Sequence, residues 1–117
     1  MSEHDEQCAL FQWAAIAASD YPALQMMFAI PNGTRAVPRV AAKMKAEGVL
    51  KGVSDIFLPA ARGGKHGMFI ELKTGKGRLS PEQIAFLGAM NAAGYHAVMC
   101  RGWEQAAETI LEYLGKE

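Results

Sequence analysis

Within Met68-Phe69-Ile70-Glu71-Leu72-Lys73, an acid and a base stand two residues apart in an otherwise apolar run. Such a run reads as a strand, and side chains alternate faces along a strand. Met68, Ile70 and Leu72 then point one way, and Phe69, Glu71 and Lys73 the other. A second apolar run, Ile56-Phe57-Leu58, follows directly on Asp55. If the two strands pair, Asp55 and Glu71 converge at one end of a sheet. A charge inside an apolar strand is costly unless it is paired or bound to a metal. Mg²⁺ takes oxygen ligands, commonly one or two carboxylates with waters and substrate phosphate, and two neighbouring carboxylates meet that need. Such an ion neutralises phosphate oxygens and lowers the pKa of water. A lysine beside it orients the attacking water and stabilises charge in the transition state. The set fits phosphodiester hydrolysis without a Ser or Cys nucleophile. Glu-x-Lys alone is a common product of cross-strand charge pairing. The specificity comes from Gly52-Val53-Ser54-Asp55 lying ahead of a short hairpin and Ile70-Glu71-Leu72-Lys73.

Helices and strands alternate around these residues. Ser2-x-x-Asp5 starts a helix over residues 3–19, with Leu10, Phe11, Trp13 and Ile16 at helical spacing. Tyr21-Pro22 closes it. Met26–Ile30 reads as a short buried strand, broken by Pro31-Asn32-Gly33. A second helix spans Val37–Glu47, with Pro38 in its first turn and Gly48 at its stop. Strands at 54–59 and 68–73 flank the flexible connection Arg62–Gly67 and form a hairpin. Ser80-Pro81-Glu82-Gln83 is a strong helix start, a cap followed by Pro at the first position. That helix runs to Ala93, and Gly94 ends it. A buried strand at 95–100 and a helix at 103–114, with Ala106, Ala107, Ile110, Leu111 and Leu114 inward, complete the order αβαββαβα. The expectation is a single α/β domain over 1–117, with a mixed sheet flanked by helices.

The bulk properties suit this. The 117 residues are 50% hydrophobic and 21% charged, as in a folded soluble domain. No apolar run is long enough to span a bilayer. The acidic opening MSEHDEQ does not read as a secretory signal. Cys8 and Cys100 form no motif and read as core packing in a reduced, cytoplasmic protein. His4, His66 and His96 lack metal spacing, and Tyr95 and Trp103 read as core. Net charge is zero, yet its distribution is uneven. Residues 1–34 carry −4, residues 35–78 carry +7 and residues 79–117 carry −3. Clustered charge can hold a polyanion even when the total is neutral. Arg39 and Lys43 share a helix face at i and i+4. Asn32 and Arg35, at a turn with free N–H groups, are candidate phosphate contacts. Lys76 and Arg78, directly after the Glu71–Lys73 strand, are two more.

Taken in order, Phe28-Ala29-Ile30-Pro31-Asn32-Gly33, Lys43-x-x-x-Glu47-Gly48, Gly52-Val53-Ser54-Asp55-Ile56-Phe57-Leu58, Ile70-Glu71-Leu72-Lys73, Leu79-Ser80-Pro81-Glu82-Gln83 and Gly94-Tyr95 resemble the VRR-NUC domain, a branch of the PD-(D/E)xK nuclease superfamily. Ser54 stands where the family often has Pro, which leaves the carboxylate of Asp55 in place. The resemblance implies a restriction-endonuclease-like fold and a DNA endonuclease dependent on Mg²⁺ or Mn²⁺ that leaves 5′-phosphate ends. It implies metal ligation by Asp55, Glu71 and the carbonyl of Leu72, with Lys73 as the catalytic lysine and Gln83 as its support. A further ligand comes from the first helix, Glu3 by the spacing Glu3-x-x-x-Gln7, with Glu6 as the alternative. Stand-alone members resemble homodimeric Holliday-junction resolvases of phages, acting in a bacterial or phage-infected cell. That implies branched or junction DNA as partner. Two other readings stand beside it: a DNA-binding module of the same fold without catalysis, and a domain whose basic helix binds an acidic protein.

Overall fold

Ser2 caps the first helix: its hydroxyl accepts the N–H of Asp5, and the Asp5 carboxylate accepts the N–H of Ser2. The computed structural model describes residues 1–31 and 37–117. Helix α1 covers Glu3–Ala17 and is followed by a 3-10 turn, Pro22–Met26. Then come β1 (Phe28–Ala29), α2 (Pro38–Ala46), β2 (Ile56–Leu58), β3 (Met68–Lys73), α3 (Pro81–Ala92), β4 (His96–Arg101) and α4 (Gly102–Leu114). The expected order of helices and strands is present.

The sheet runs β1-β2-β3-β4. β1 and β2 are antiparallel, as are β2 and β3, whereas β3 and β4 are parallel and joined through α3. A parallel pair needs such a crossover, and an antiparallel pair needs only a hairpin. This is the mixed α/β sheet that the alternation of patterns predicts. Strand β3 is interior, paired on both sides, so its polar residues are held by the sheet as well as by their neighbours.

The two faces of β3 have different company. Ile56, Leu58, Met68, Ile70 and Leu72 are fully buried against Leu10 of α1 and Ile110 of α4. On the other face, Phe69 packs against Phe57 at 4.5 Å, Phe86 of α3 at 5.2 Å and Tyr95 at 5.3 Å between ring centroids. Edge-on and tilted aromatic contacts of this kind add to plain burial. The C-terminal end of α4 is tied down by Tyr113, whose hydroxyl donates to the Ala60 carbonyl at 2.6 Å. No helix among the described residues is long and apolar enough to cross a membrane.

Four expectations need correction. The stretch Met26–Ile30 is not a buried strand: β1 has two residues, both exposed, and Met26 is also exposed, although Met27 is buried. Here the chain forms the edge of the sheet, where only β2 supplies a partner. Helix α1 ends at Ala17 and not at residue 19. Ile16 is 79% exposed, because the buried stripe runs through Leu10 and Ala14, and a residue two positions from Ala14 falls on the opposite side of a helix. Cys8 is exposed on that outer side, 3.6 Å from His4, while Cys100 is buried. Helix α2 stops at Gly48 as expected, where φ is +98°. It buries no side chain and makes no close contact with another described helix or strand.

Candidate active site

The register of β2 on β3 pairs Ile56 with Ile70, so the residue before β2 lies opposite Glu71. That residue is Asp55. Its backbone carbonyl accepts the N–H of Ile30 at 2.7 Å, on the β1 side. Its side-chain Oδ2 accepts the N–H of Leu72 at 2.8 Å, on the β3 side. A carboxylate thus takes up a strand N–H at the point where the β2 ladder begins, which fixes Asp55 across from Glu71.

Glu71 is 1% exposed. Its Oε2 accepts a hydrogen bond from Gln83 Nε2 at 3.2 Å and lies 3.9 Å from the ammonium of Lys73. Its Oε1 is buried without a hydrogen-bond partner among the described residues, as is the hydroxyl of Ser54. Burial pushes the Glu71 carboxyl up to about 9, and the neighbouring Asp55 carboxylate pushes the same way. Lys73 pulls in the other direction but is outweighed, and the charge of Glu3 adds a smaller upward push. Removing a charge from water costs more than one cation at ion-pair distance returns.

Gln83 has two tasks. As the third residue of α3, its Oε1 accepts the N–H of Ser80 at 2.9 Å, and its own N–H donates to Ser80 Oγ at 3.1 Å. This reciprocal cap consumes the amide oxygen and leaves the amide nitrogen for Glu71. The same residues that begin the helix therefore orient the side chain toward the acid.

Asp55, Glu71, Lys73 and Gln83 open onto one cleft of about 480 Å³, with Glu3 and Arg78 also on its walls. Leu72 lines it as well. Glu6 does not reach it: its Oε2 accepts the N–H of Trp103 at 2.6 Å, capping the start of α4. Of the two candidate α1 ligands, Glu3 and Glu6, Glu3 is the one at the cleft. Even so, among the described residues no three His, Cys, Asp or Glu side chains gather closely enough to hold a metal ion. The expected meeting of three acids is thus a close pair, Asp55 and Glu71, with Glu3 on the wall. Glu3 belongs to the partly exposed first turn of α1, which the Ser2–Asp5 cap closes.

The basic candidates divide. Arg78 lines the cleft, whereas Lys76 is exposed on the loop before α3. Arg39 and Lys43 are exposed on α2, away from the cleft lining. Asn32 and Arg35 lie outside the described residues. The sequence pattern gave no role at the cleft to His4 or Lys51, which also line it. Lys51 pairs with Glu82 at 3.5 Å. Its signal was Gly52, which adopts φ +96° and leaves no room for a side chain, since a Cβ there would meet the Glu82 backbone at 2.6 Å. That close approach brings Lys51 to the start of α3.

Comparison with known proteins fits this arrangement. The family model of the VRR-NUC domain matches residues 3–104. A solved structure described as a VRR_NUC domain protein superposes with a TM-score of 0.85 at 26% identity, covering 99% of this chain and 90% of that one. No curated protein matches the sequence. The matched stretch takes in α1, every strand and the whole cleft with its acid pair, lysine and capping glutamine, so the chain belongs to the VRR-NUC domain family of nucleases.

Proposed function

We propose that this protein is a divalent-metal-dependent endonuclease that hydrolyses DNA phosphodiester bonds. The observation that carries the reading is Glu71: a buried carboxylate with one oxygen unpartnered, facing a second carboxylate and a lysine. Two acids held together, one of them fully buried, call for a cation. The donor set is all oxygen, which suits Mg²⁺ or Mn²⁺. Asp55, Glu71 and the Leu72 carbonyl would hold the ion, and Glu3, on the wall of the same cleft, would have to approach to join them. Bound there, it would neutralise phosphate oxygens and lower the pKa of water.

The chain's own residues supply the rest. Lys73 places an ammonium beside the acids, where it orients the attacking water and offsets charge on the phosphate. Gln83 holds Glu71 in position through Oε2. Arg78 and Lys51 present positive charge to the DNA backbone at the cleft mouth, and Lys76, Arg39 and Lys43 extend the basic surface. Asn32 and Arg35, outside the described residues, are further proposed phosphate contacts. Water attacks phosphorus in line, the bond to the 3′ oxygen breaks, and the products are a 5′-phosphate and a 3′-hydroxyl. In the test, purified protein nicks plasmid DNA only with Mg²⁺ or Mn²⁺. Asp55→Asn and Lys73→Ala each lower the rate at least about a hundredfold. Cleavage that persists in EDTA, or survives both substitutions, would overturn the reading.

The preferred substrate in this proposal is branched DNA, cut by a homodimer. A two-fold dimer presents two clefts to the symmetric strands of a four-way junction. A synthetic junction should be nicked at paired positions, and equal cutting of a linear duplex under the same conditions would remove the junction preference.

A further inference from the structure

The loop between β3 and α3 is rich in glycine and carries Lys76 and Arg78. Left to itself, such a segment would be costly to order. It is held from outside. Arg101, the last residue of β4, is the register partner of Lys73 on β3. Its Nη1 donates to the Gly75 carbonyl at 2.9 Å and to the Gly77 carbonyl at 2.7 Å. Within the loop, the Gly77 N–H donates to the Thr74 carbonyl at 2.9 Å. The Gly77 backbone lies over the stem of Lys73, since a Cβ added there would stand 3.6 Å from Lys73 Cδ. One residue later comes Arg78, on the cleft wall. Arg101 itself is not among the residues lining that cleft.

We infer that Arg101 is a positioning residue that clamps the β3–α3 loop over Lys73 and so fixes Arg78 at the mouth of the cleft. A guanidinium suits this task, because its charge-assisted hydrogen bonds are stronger than neutral ones and one nitrogen can serve two converging carbonyls. The structural part stands alone; the consequence for DNA rests on the nuclease reading above.

The experiment has two arms, both on the intact protein. Hydrogen exchange of the amides of residues 74–79 is compared between wild type and Arg101→Ala. The clamp requires exchange at least about tenfold faster in the variant, with the rest of the sheet unchanged. Unchanged loop exchange would overturn the inference. The second arm measures cleavage kinetics. Arg101→Ala raises KM roughly tenfold, from the loss of hydrogen bonds to a charged group, while kcat falls by a smaller factor. Arg101→Lys keeps the charge and a donor, and restores part of the lost KM. In a double-mutant cycle with Arg78→Ala, the two losses are less than additive, because both act through one contact. Full additivity would mean that Arg101 touches DNA directly, and the positioning role would be wrong. Should the wild type neither bind nor cut DNA, the nuclease reading fails and the exchange rates still decide the clamp.

Discussion

Glu71 is the residue on which chemistry and stability meet. Its folded carboxyl is raised to about 9 by burial and by Asp55, whereas in the unfolded chain it titrates like an ordinary glutamate. Between those two values the folded state holds a proton that the unfolded state has released, so stability falls as pH rises through the window. In EDTA, the midpoint of thermal unfolding should therefore decline from mildly acidic pH toward pH 9. Glu71→Gln, which cannot ionise, should flatten the decline. A wild-type midpoint that rises over the same window would contradict this account of the buried acid. Binding of a divalent ion must displace that proton, so Mg²⁺ should bind more tightly as pH rises and should restore the stability lost. Calorimetry in buffers of differing ionisation enthalpy measures the proton released.

At the scale of elements, the start of α3 matters most, because it is both a helix cap and a wall of the site. Gly52 lies against it in the left-handed region, with no room for a side chain. Gly52→Ala should destabilise the fold by about 2–4 kcal/mol, from backbone strain together with overpacking. It should also displace Gln83 from Glu71; denaturant unfolding and the cleavage rate test the two effects. Much of this arrangement was legible beforehand. Ser80-Pro81-Glu82-Gln83 announces a helix start from local chemistry alone, and alternation along 68–73 puts Glu71 and Lys73 on one face. The sequence pattern brings Asp55 to Glu71 if the two strands pair, and the register of β2 on β3 meets that condition. Other features depend on contacts distant in sequence and left no local trace. The spacing Glu3-x-x-x-Gln7 favours Glu3 with Glu6 as the alternative, and what engages Glu6 elsewhere, the docking of α4 with Trp103 N–H on it, has no local signal. Met26–Ile30 has the composition of a buried strand, but its position at the sheet edge leaves Phe28 exposed. Nor does any motif announce the hold of Arg101 on two loop carbonyls 24 and 26 residues away.

At the scale of the molecule, two groups of described charges from the basic middle segment sit in different settings. Arg78 and Lys51 sit at the cleft, while Arg39 and Lys43 ride on α2, which buries nothing. If both settings touch phosphates, DNA affinity should fall steeply with salt, by about 0.9 in log–log slope per phosphate neutralised. Replacing Arg39 and Lys43 together by Ala should reduce that slope by about 2 without altering kcat. A slope identical to the wild type would remove α2 from the interface. The contrast with α3 is sharp, since α3 is pinned to β3 at two points, Phe86 on Phe69 and Gln83 on Glu71. On the proposed reading, the grip on α2 and the scission at β3 and α3 would be carried by separate elements. Because α2 packs on no other described helix or strand, its outer surface, if it does hold DNA, could be recharged or retargeted toward a differently shaped DNA while the blade stays where it is.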